Sequence, residues 1–182
     1  GIYQGQGQIA IFGVPVEPIN LPTVRQDVGL VFQNPDDQLF CPTVFDDVAF
    51  GPRNLGFSEK DTAERVARSL AQVHMIGFDH KPAFHLSLGQ KKRVALATVL
   101  AMDARLLVLD EPTSNLDPRG RNEILHLLGG LCDTQIIATH DLDLVERLCT
   151  RVVLLSKGRC VADGAPADIV RNRTLLESHG LC

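Results

Sequence analysis

"LLVLDEPTSNLD", Leu106 to Asp117, sets four apolar residues against two adjacent carboxylates and then a turn of small polar residues. A short continuous apolar run bounded by turn residues reads as a strand buried on both faces of a parallel sheet. Ionised carboxylates avoid low dielectric, so an acidic pair closing such a strand calls for a compensating partner. In open α/β sheets, ligands bind at the carboxyl ends of the strands. An Asp there can hold Mg2+, usually through water, and a neighbouring Glu can polarise an attacking water. Taken alone, the same pattern also describes a strand that ends at a surface acidic turn.

Similar runs lie on either side. "GLVF" (Gly29 to Phe32) and "QIAIFG" (Gln8 to Gly13) read as strands. "QIIAT" (Gln135 to Thr139) and "RVVLLS" (Arg151 to Ser156) read as further doubly buried strands of the parallel sheet. Helical patterns alternate with them. Ser58 and Asp61 form a capping-box pattern, with Ala63, Val66, Ala67 and Leu70 on one face and Gly77 beyond the end. Ser87 can cap a second helix running to about Met102. Pro118 opens a third, with Ile124, Leu125, Leu128 and Leu131 on its inner face. "SKGR" (Ser156 to Arg159) predicts a hairpin turn. Strands alternating with helices imply an α/β fold. The stretch from Cys41 to Lys92 lacks strong strands and reads as a helical insertion.

Composition narrows the function classes. The chain has 182 residues, 45% of them hydrophobic and 22% charged, which suits a folded domain with a real core. A net charge of −4 argues against nucleic acid as the main partner. Cys41, Cys132, Cys149, Cys160 and Cys182 are odd in number and irregularly spaced, and read as reduced structural thiols. The longest apolar run, around Val94 to Met102, is far short of the roughly 20 residues a spanning helix needs.

Three further stretches carry chemistry. "IIATHD" repeats the strand-then-polar pattern, so Asp110, Glu111 and His140 are expected on one sheet edge. "HLSLGQKKR" (His85 to Arg93) puts Ser87 and Gly89 at a helix start, where free N–H groups and positive potential suit an anion. Lys91, Lys92 and Arg93 in its first turns oppose the helix dipole unless negative charge lies nearby; a solvated basic face is the plain alternative. "VFQNPDDQLF" (Val31 to Phe40) puts Gln33 just past a strand, where its amide could reach a metal or a phosphate.

Together these motifs resemble the nucleotide-binding subunit of ATP-binding cassette (ABC) transporters. "VFQ" is similar to the Q-loop, "LSLGQKKR" to the signature motif and "LLVLDEPT" to Walker B with its catalytic Glu. "SNLD" is similar to the D-loop and "THD" to the H-switch, in the family's order and spacing. The string "VFQNPDDQLFCPTVFDDVAFGPRNLG" (Val31 to Gly56) and "GQKKRVALATVLAM" most resemble the cobalt and energy-coupling-factor branch. One position departs from the pattern: Leu88 stands where the signature usually has its first Gly.

The resemblance implies a P-loop NTPase-like parallel sheet with a helical subdomain, and ATP and Mg2+ as cofactors. It implies core sheet and helices over 1–40 and 93–165, a helical subdomain over 41–92 and a tail over 166–182. Asp110 would position Mg2+, Glu111 would activate water, Gln33 would sense metal and γ-phosphate, and His140 would contact the γ-phosphate. Ser87, Gly89 and Gln90 would bind ATP held by a second ATPase subunit in a head-to-tail dimer, with Asp117 at that interface. A transmembrane transporter subunit would be the other partner, at the cytoplasmic face of the membrane. The implied activity is ATP hydrolysis driving import of cobalt, nickel or a vitamin. A catalytically inactive remnant, or a non-transport ABC protein, is the alternative; the distance from Gln33 to Ser87 leaves no room for a long coiled-coil insertion. The sequence holds no Gly-Lys dipeptide, and hence no GxxxxGK[ST] phosphate cradle. The expectation is therefore that the cradle and the N-terminal part of the fold lie upstream of Gly1.

Overall fold

The computed structural model describes residues 7–131 and 134–181. The expected strand over Gln8 to Gly13 is cut short. Phe12 and Gly13 take φ of 48° and 82°, so the chain reverses there and β1 (Ala10–Ile11) pairs antiparallel with β2 (Val14–Pro15). Helix α1 (Leu21–Asp27) then leads into β3 (Val28–Val31).

β4 (Leu106–Asp110) is the centre of a three-stranded parallel sheet, between β3 and β5 (Gln135–Ala138). The register sets Gly29, Leu30 and Val31 beside Leu107, Val108 and Leu109, and sets Val108, Leu109 and Asp110 beside Ile136, Ile137 and Ala138. Side chains alternate across a strand, so Val31, Leu107, Leu109 and Ile137 share one face while Leu30, Val108 and Ile136 share the other. The first face packs into the main hydrophobic core against α4 (Leu88–Leu100) and α5 (Pro118–Leu131). On the second face Leu30 is 45% exposed and Ile136 55% exposed. The double burial expected of β5 is thus not found: among the described residues, one sheet face is covered and the other is open.

The stretch after β3 is helical. Thr43 caps α2 (Val44–Asn54) by accepting from Asp46 N, and Ser58 caps α3 (Glu59–Gln72) by accepting from Asp61 N. The inner face of α3 differs from the expectation. Thr62, Val66, Ser69 and Leu70 are buried, whereas Ala63 and Ala67 are exposed. Two small polar side chains take inner positions, where they let neighbouring helices approach. α4 starts at the expected cap and, with Val94, Ala95, Leu96, Ala97 and Val99 all buried, has little polar surface beyond its first turns. Each such Val or Leu contributes roughly 1.5–3 kcal/mol by leaving water.

The run at Arg151 to Ser156 also departs from expectation. It forms β6 (Val152–Ser156), which pairs antiparallel with β7 (Arg159–Gly164) rather than joining the parallel sheet. Lys157 and Gly158, with φ of 49° and 73°, make the tight turn between them. Helices α6 (Leu142–Leu148), α7 (Pro166–Val170) and α8 (Arg173–Ser178) complete the fold. Between β5 and β6 lies a cavity of about 1010 Å³, walled by Ile136, Ile137, Val153, Leu155 and α6 side chains. Cys41 and Cys149 are free, half-buried thiols, and Cys160 is free and exposed. Burial, reinforced by Asp47, pushes the Cys41 thiol up to about 11, which makes it a poor nucleophile. Cys132 and Cys182 lie outside the described residues. No described helix is long and apolar enough to cross a membrane.

Candidate functional site

β4 ends with Asp110 exposed at the sheet edge, and the chain then breaks sharply at Glu111, whose φ is +43°. That left-handed conformation is held from both sides. Glu111 N donates to Ala138 O at 2.9 Å. Its carbonyl oxygen accepts from Ser114 N at 3.1 Å, Ser114 Oγ at 2.9 Å and Lys92 Nζ at 2.9 Å. The reversal lays the Glu111 carboxylate, 17% exposed, over the end of β5. There Oε2 accepts from Thr139 Oγ1 at 3.0 Å, and Oε1 accepts from His140 N at 3.0 Å. His140 Nδ1 lies 2.7 Å from Oε1. An ionised carboxylate only accepts, so Nδ1 is the donor in that contact and Nε2 is the ring's other polar atom. His140 itself is 74% exposed on the side chain.

The three cations of "QKKR" all find negative or acceptor groups, which removes the conflict with the helix dipole. Lys91 Nζ pairs with Asp36 Oδ1 at 2.6 Å, and Arg93 lies 3.7 Å from Glu123. Lys92 is only 4% exposed and also donates to Ser114 Oγ at 3.1 Å. Burial pushes its ammonium down to about 8, while the charges of Glu111 and Asp110 pull it back up. The solvated basic face is therefore not what forms: Lys92 is interior, bonded to the Glu111 carbonyl and Ser114, with its charge favourable to both carboxylates of the acidic pair.

Gln33 is exposed two residues beyond Val31, which stands beside Leu109 in the register. It therefore belongs to the same strand-end edge as Asp110. Their carboxylate and amide oxygens are hard donors, the set that suits Mg2+, which keeps most of its waters and needs few protein ligands. The loop carrying Gln33 is fastened to α4. Gln38 accepts from Phe32 N at 3.1 Å and donates to Thr98 Oγ1 at 2.8 Å and Ala95 O at 3.1 Å.

The remaining expected site residues assemble separately. Ser87, Gly89, Gln90 and Asp117 line one concavity of about 380 Å³ with Arg93, Asn115 and Leu116. Ser87 and Gln90 close a reciprocal capping box there: Ser87 Oγ accepts from Gln90 N at 3.3 Å, and Gln90 Oε1 accepts from Ser87 N at 2.9 Å. Asp117 Oδ1 accepts from Gly120 N at 2.8 Å and so caps α5. The described structure thus forms two groups, one of Asp110, Glu111, His140 and Gln33, the other of the signature and "SNLD" residues.

Several residues at these sites carried no readable signal in the sequence. Thr139 and Ser114 orient Glu111, but single hydroxyls near a turn are commonplace. Asp141 binds Arg121 through both carboxylate oxygens at 2.8 and 2.9 Å, accepts from Thr113 Oγ1 at 2.9 Å and caps α6 through Leu144 N. "THD" places Asp141 beside His140, yet its partners lie 20 and 28 residues away along the chain.

A parallel sheet whose central strand ends in Asp-Glu, with Thr and His at the next strand end, defines a P-loop NTPase-like protein of the ATP-binding cassette class. The chain belongs to the ABC transporter family, whose profile matches residues 1–114. It is 52% identical over 171 residues to an ABC transporter ATP-binding protein of Geobacter sulfurreducens, covering 94% of this chain and 69% of that protein. It is 49% identical over 185 residues to the energy-coupling factor transporter ATP-binding protein EcfA of Carboxydothermus hydrogenoformans, covering 100% of this chain and 68% of that one. The solved structure of cbiO1 from Clostridium perfringens, described as part of the ABC transporter complex cbiONQ, superposes with a TM-score of 0.79. It shares 38% identity over 93% of this chain and 70% of its own. These relatives set the chain in the energy-coupling-factor and cobalt branch of the family.

Proposed function

We propose that this chain supplies the catalytic sheet edge and the signature region of the ATP-binding and ATP-hydrolysing subunit of an ABC importer for cobalt, nickel or a vitamin. The observation that carries the reading is the convergence of Glu111, Thr139 and His140 beside Asp110 at the carboxyl edge of the sheet. Glu111 is the base that takes a proton from the attacking water, and Thr139 and His140 hold its carboxylate in one orientation. His140, exposed beyond it, meets the γ-phosphate. Asp110, with Gln33, would hold Mg2+, which supplies charge neutralisation on the phosphate oxygens when bound. Similarity to EcfA and cbiO1 supports the import role.

Two partners follow from the same reading. The concavity joining Ser87, Gly89 and Gln90 to Asp117 faces a second ATPase subunit in a head-to-tail dimer and closes on the nucleotide that subunit holds. A transmembrane subunit docks beside the loop after β3, where Phe40 is 65% exposed and stacks edge-on against Phe50 at 5.1 Å. Exposed aromatic pairs of this kind are common anchors in protein interfaces. The working position is then peripheral, at the cytoplasmic face of the membrane.

Replacing Glu111 with Gln removes the base and leaves Asp110 in place. In the assembled ATPase this change should lower phosphate release by about 100-fold or more while ATP binding stays within a few-fold. Turnover close to the parent's would remove Glu111 from its role and the hydrolase reading with it.

A further inference from the structure

We propose that Lys92 is a positioning residue that aims Glu111 and ties that aim to the start of the signature helix. The inference rests on the hydrolase reading above and deepens it. Lysine is almost never fully buried unless paired, yet Lys92 is 4% exposed. Its bonds go to the Glu111 carbonyl at 2.9 Å and to Ser114 Oγ at 3.1 Å, so the ammonium grips the backbone of the reversal and leaves the carboxylate to Thr139 and His140. Glu111 is not a glycine, and its φ of +43° persists only where the surroundings over-determine it. Three donors on one carbonyl, with the amide bonded to β5 on the other side, are that over-determination.

The position of Lys92 on α4 gives the tie its meaning. Ser87 to Gln90 form the capped first turn and line the concavity with Asp117, and Lys92 follows two residues after Gln90. Five residues of helix span about 7 Å, so one short rigid element touches the concavity with its first turn and the Glu111 turn with its second. A shift of α4 when the concavity fills is therefore carried directly to the carbonyl of the catalytic Glu. Uncharged variants at this position separate the two contributions. Met keeps the length without a donor, while Gln keeps a donor without charge.

Amide hydrogen exchange on the 182-residue chain tests the grip directly. In Lys92→Met the amides of Glu111 and Ser114 should exchange about tenfold faster, with those of α3 unchanged. In the assembled ATPase, Lys92→Met should lower kcat about tenfold or more with KM for ATP within about twofold, and Lys92→Gln should recover most of that loss. Unchanged exchange at residues 111 and 114, or unchanged kcat in Lys92→Met, overturns the proposal. So does a loss of protection spread over α3, α4 and β4 together, because that marks a merely structural lysine. Should Lys92→Met fail to fold, Ser114→Ala removes one donor to the same carbonyl and must raise exchange at residue 111 and lower kcat about two- to threefold; no change there is equally fatal. Full hydrolysis in Glu111→Gln would instead sink the hydrolase reading, while the exchange data still decide what Lys92 holds.

Discussion

At Gly29, an added Cβ would stand 2.8 Å from Val99 Cβ and 3.2 Å from both Ala104 Cβ and Leu107 Cδ2. None of the first two atoms can swing away, since each is fixed directly to its backbone. At Gly51 the nearest atom is closer still, Met102 Sδ at 2.6 Å, but it is the far end of a flexible side chain. The two positions should therefore respond differently to the same change. Gly29→Ala should destabilise by about 1–3 kcal/mol through overpacking of β3 on α4. Gly51→Ala lies within α2, gains about 1 kcal/mol of helix propensity and should come out within about 1 kcal/mol of neutral. Urea unfolding of both variants checks this: a near-neutral Gly29→Ala would mean that α4 can move away from β3, and a loss at Gly51 equal to that at Gly29 would mean that Met102 cannot swing aside. Residues of this scale were unevenly legible. Asp110, Glu111 and His140 announce themselves because each follows an apolar run, and register then brings strand ends together. Lys92 does not, since a helix start with three cations looks the same whether its second cation is solvated or interior.

Helix α6 shows how an element is held by something outside itself. Its cap, Asp141, also accepts from Arg121 on α5 and from Thr113 in the turn after Glu111. Arg121 first, then the Leu144 amide and the Thr113 hydroxyl, hold the Asp141 carboxyl down to about 2 against the opposing effect of burial. A depressed carboxyl stabilises the fold above its unfolded value of 3.8, and the contribution is lost as pH falls through the folded value of about 2. Asp141→Asn should thus cost roughly 2 kcal/mol at neutral pH and flatten the loss of stability between about pH 4 and pH 2. Thermal unfolding across that window measures it; a parent and variant with parallel pH profiles would refute the linkage. Elements were legible where caps and periodicity agree, as for α4 and α5. The inner face of α3 was misread because Thr62 and Ser69 lie inward, and hydropathy cannot distinguish small polar residues that permit close packing from polar residues that face water. β6 was misread because a doubly apolar run specifies burial, not the direction of its partner.

On the scale of the whole molecule, the described sheet leaves apolar surface uncovered. Among the described residues β5 pairs with no strand but β4, and β6 with none but β7. The cavity of about 1010 Å³ between them is lined by successive residues of both strands, and Ile136, Val153 and Leu155 are 55%, 49% and 69% exposed. A strand edge that no further strand covers among the described residues, beside exposed branched side chains, is a template for pairing with another chain. The 182-residue chain on its own should therefore self-associate at micromolar concentration. A charge set into that gap opposes pairing by forcing a desolvated cation into any new contact. Ile136→Lys combined with Leu155→Lys should lower the weight-average mass in sedimentation equilibrium toward one chain. Control lysines at Ile76, exposed in a turn, and Phe84, exposed on the short 3-10 helix over Ala83–His85, should leave it unchanged. If the control pair disperses the protein as well as the strand pair does, association comes from general surface hydrophobicity and the open edges of β5 and β6 have no special part in it.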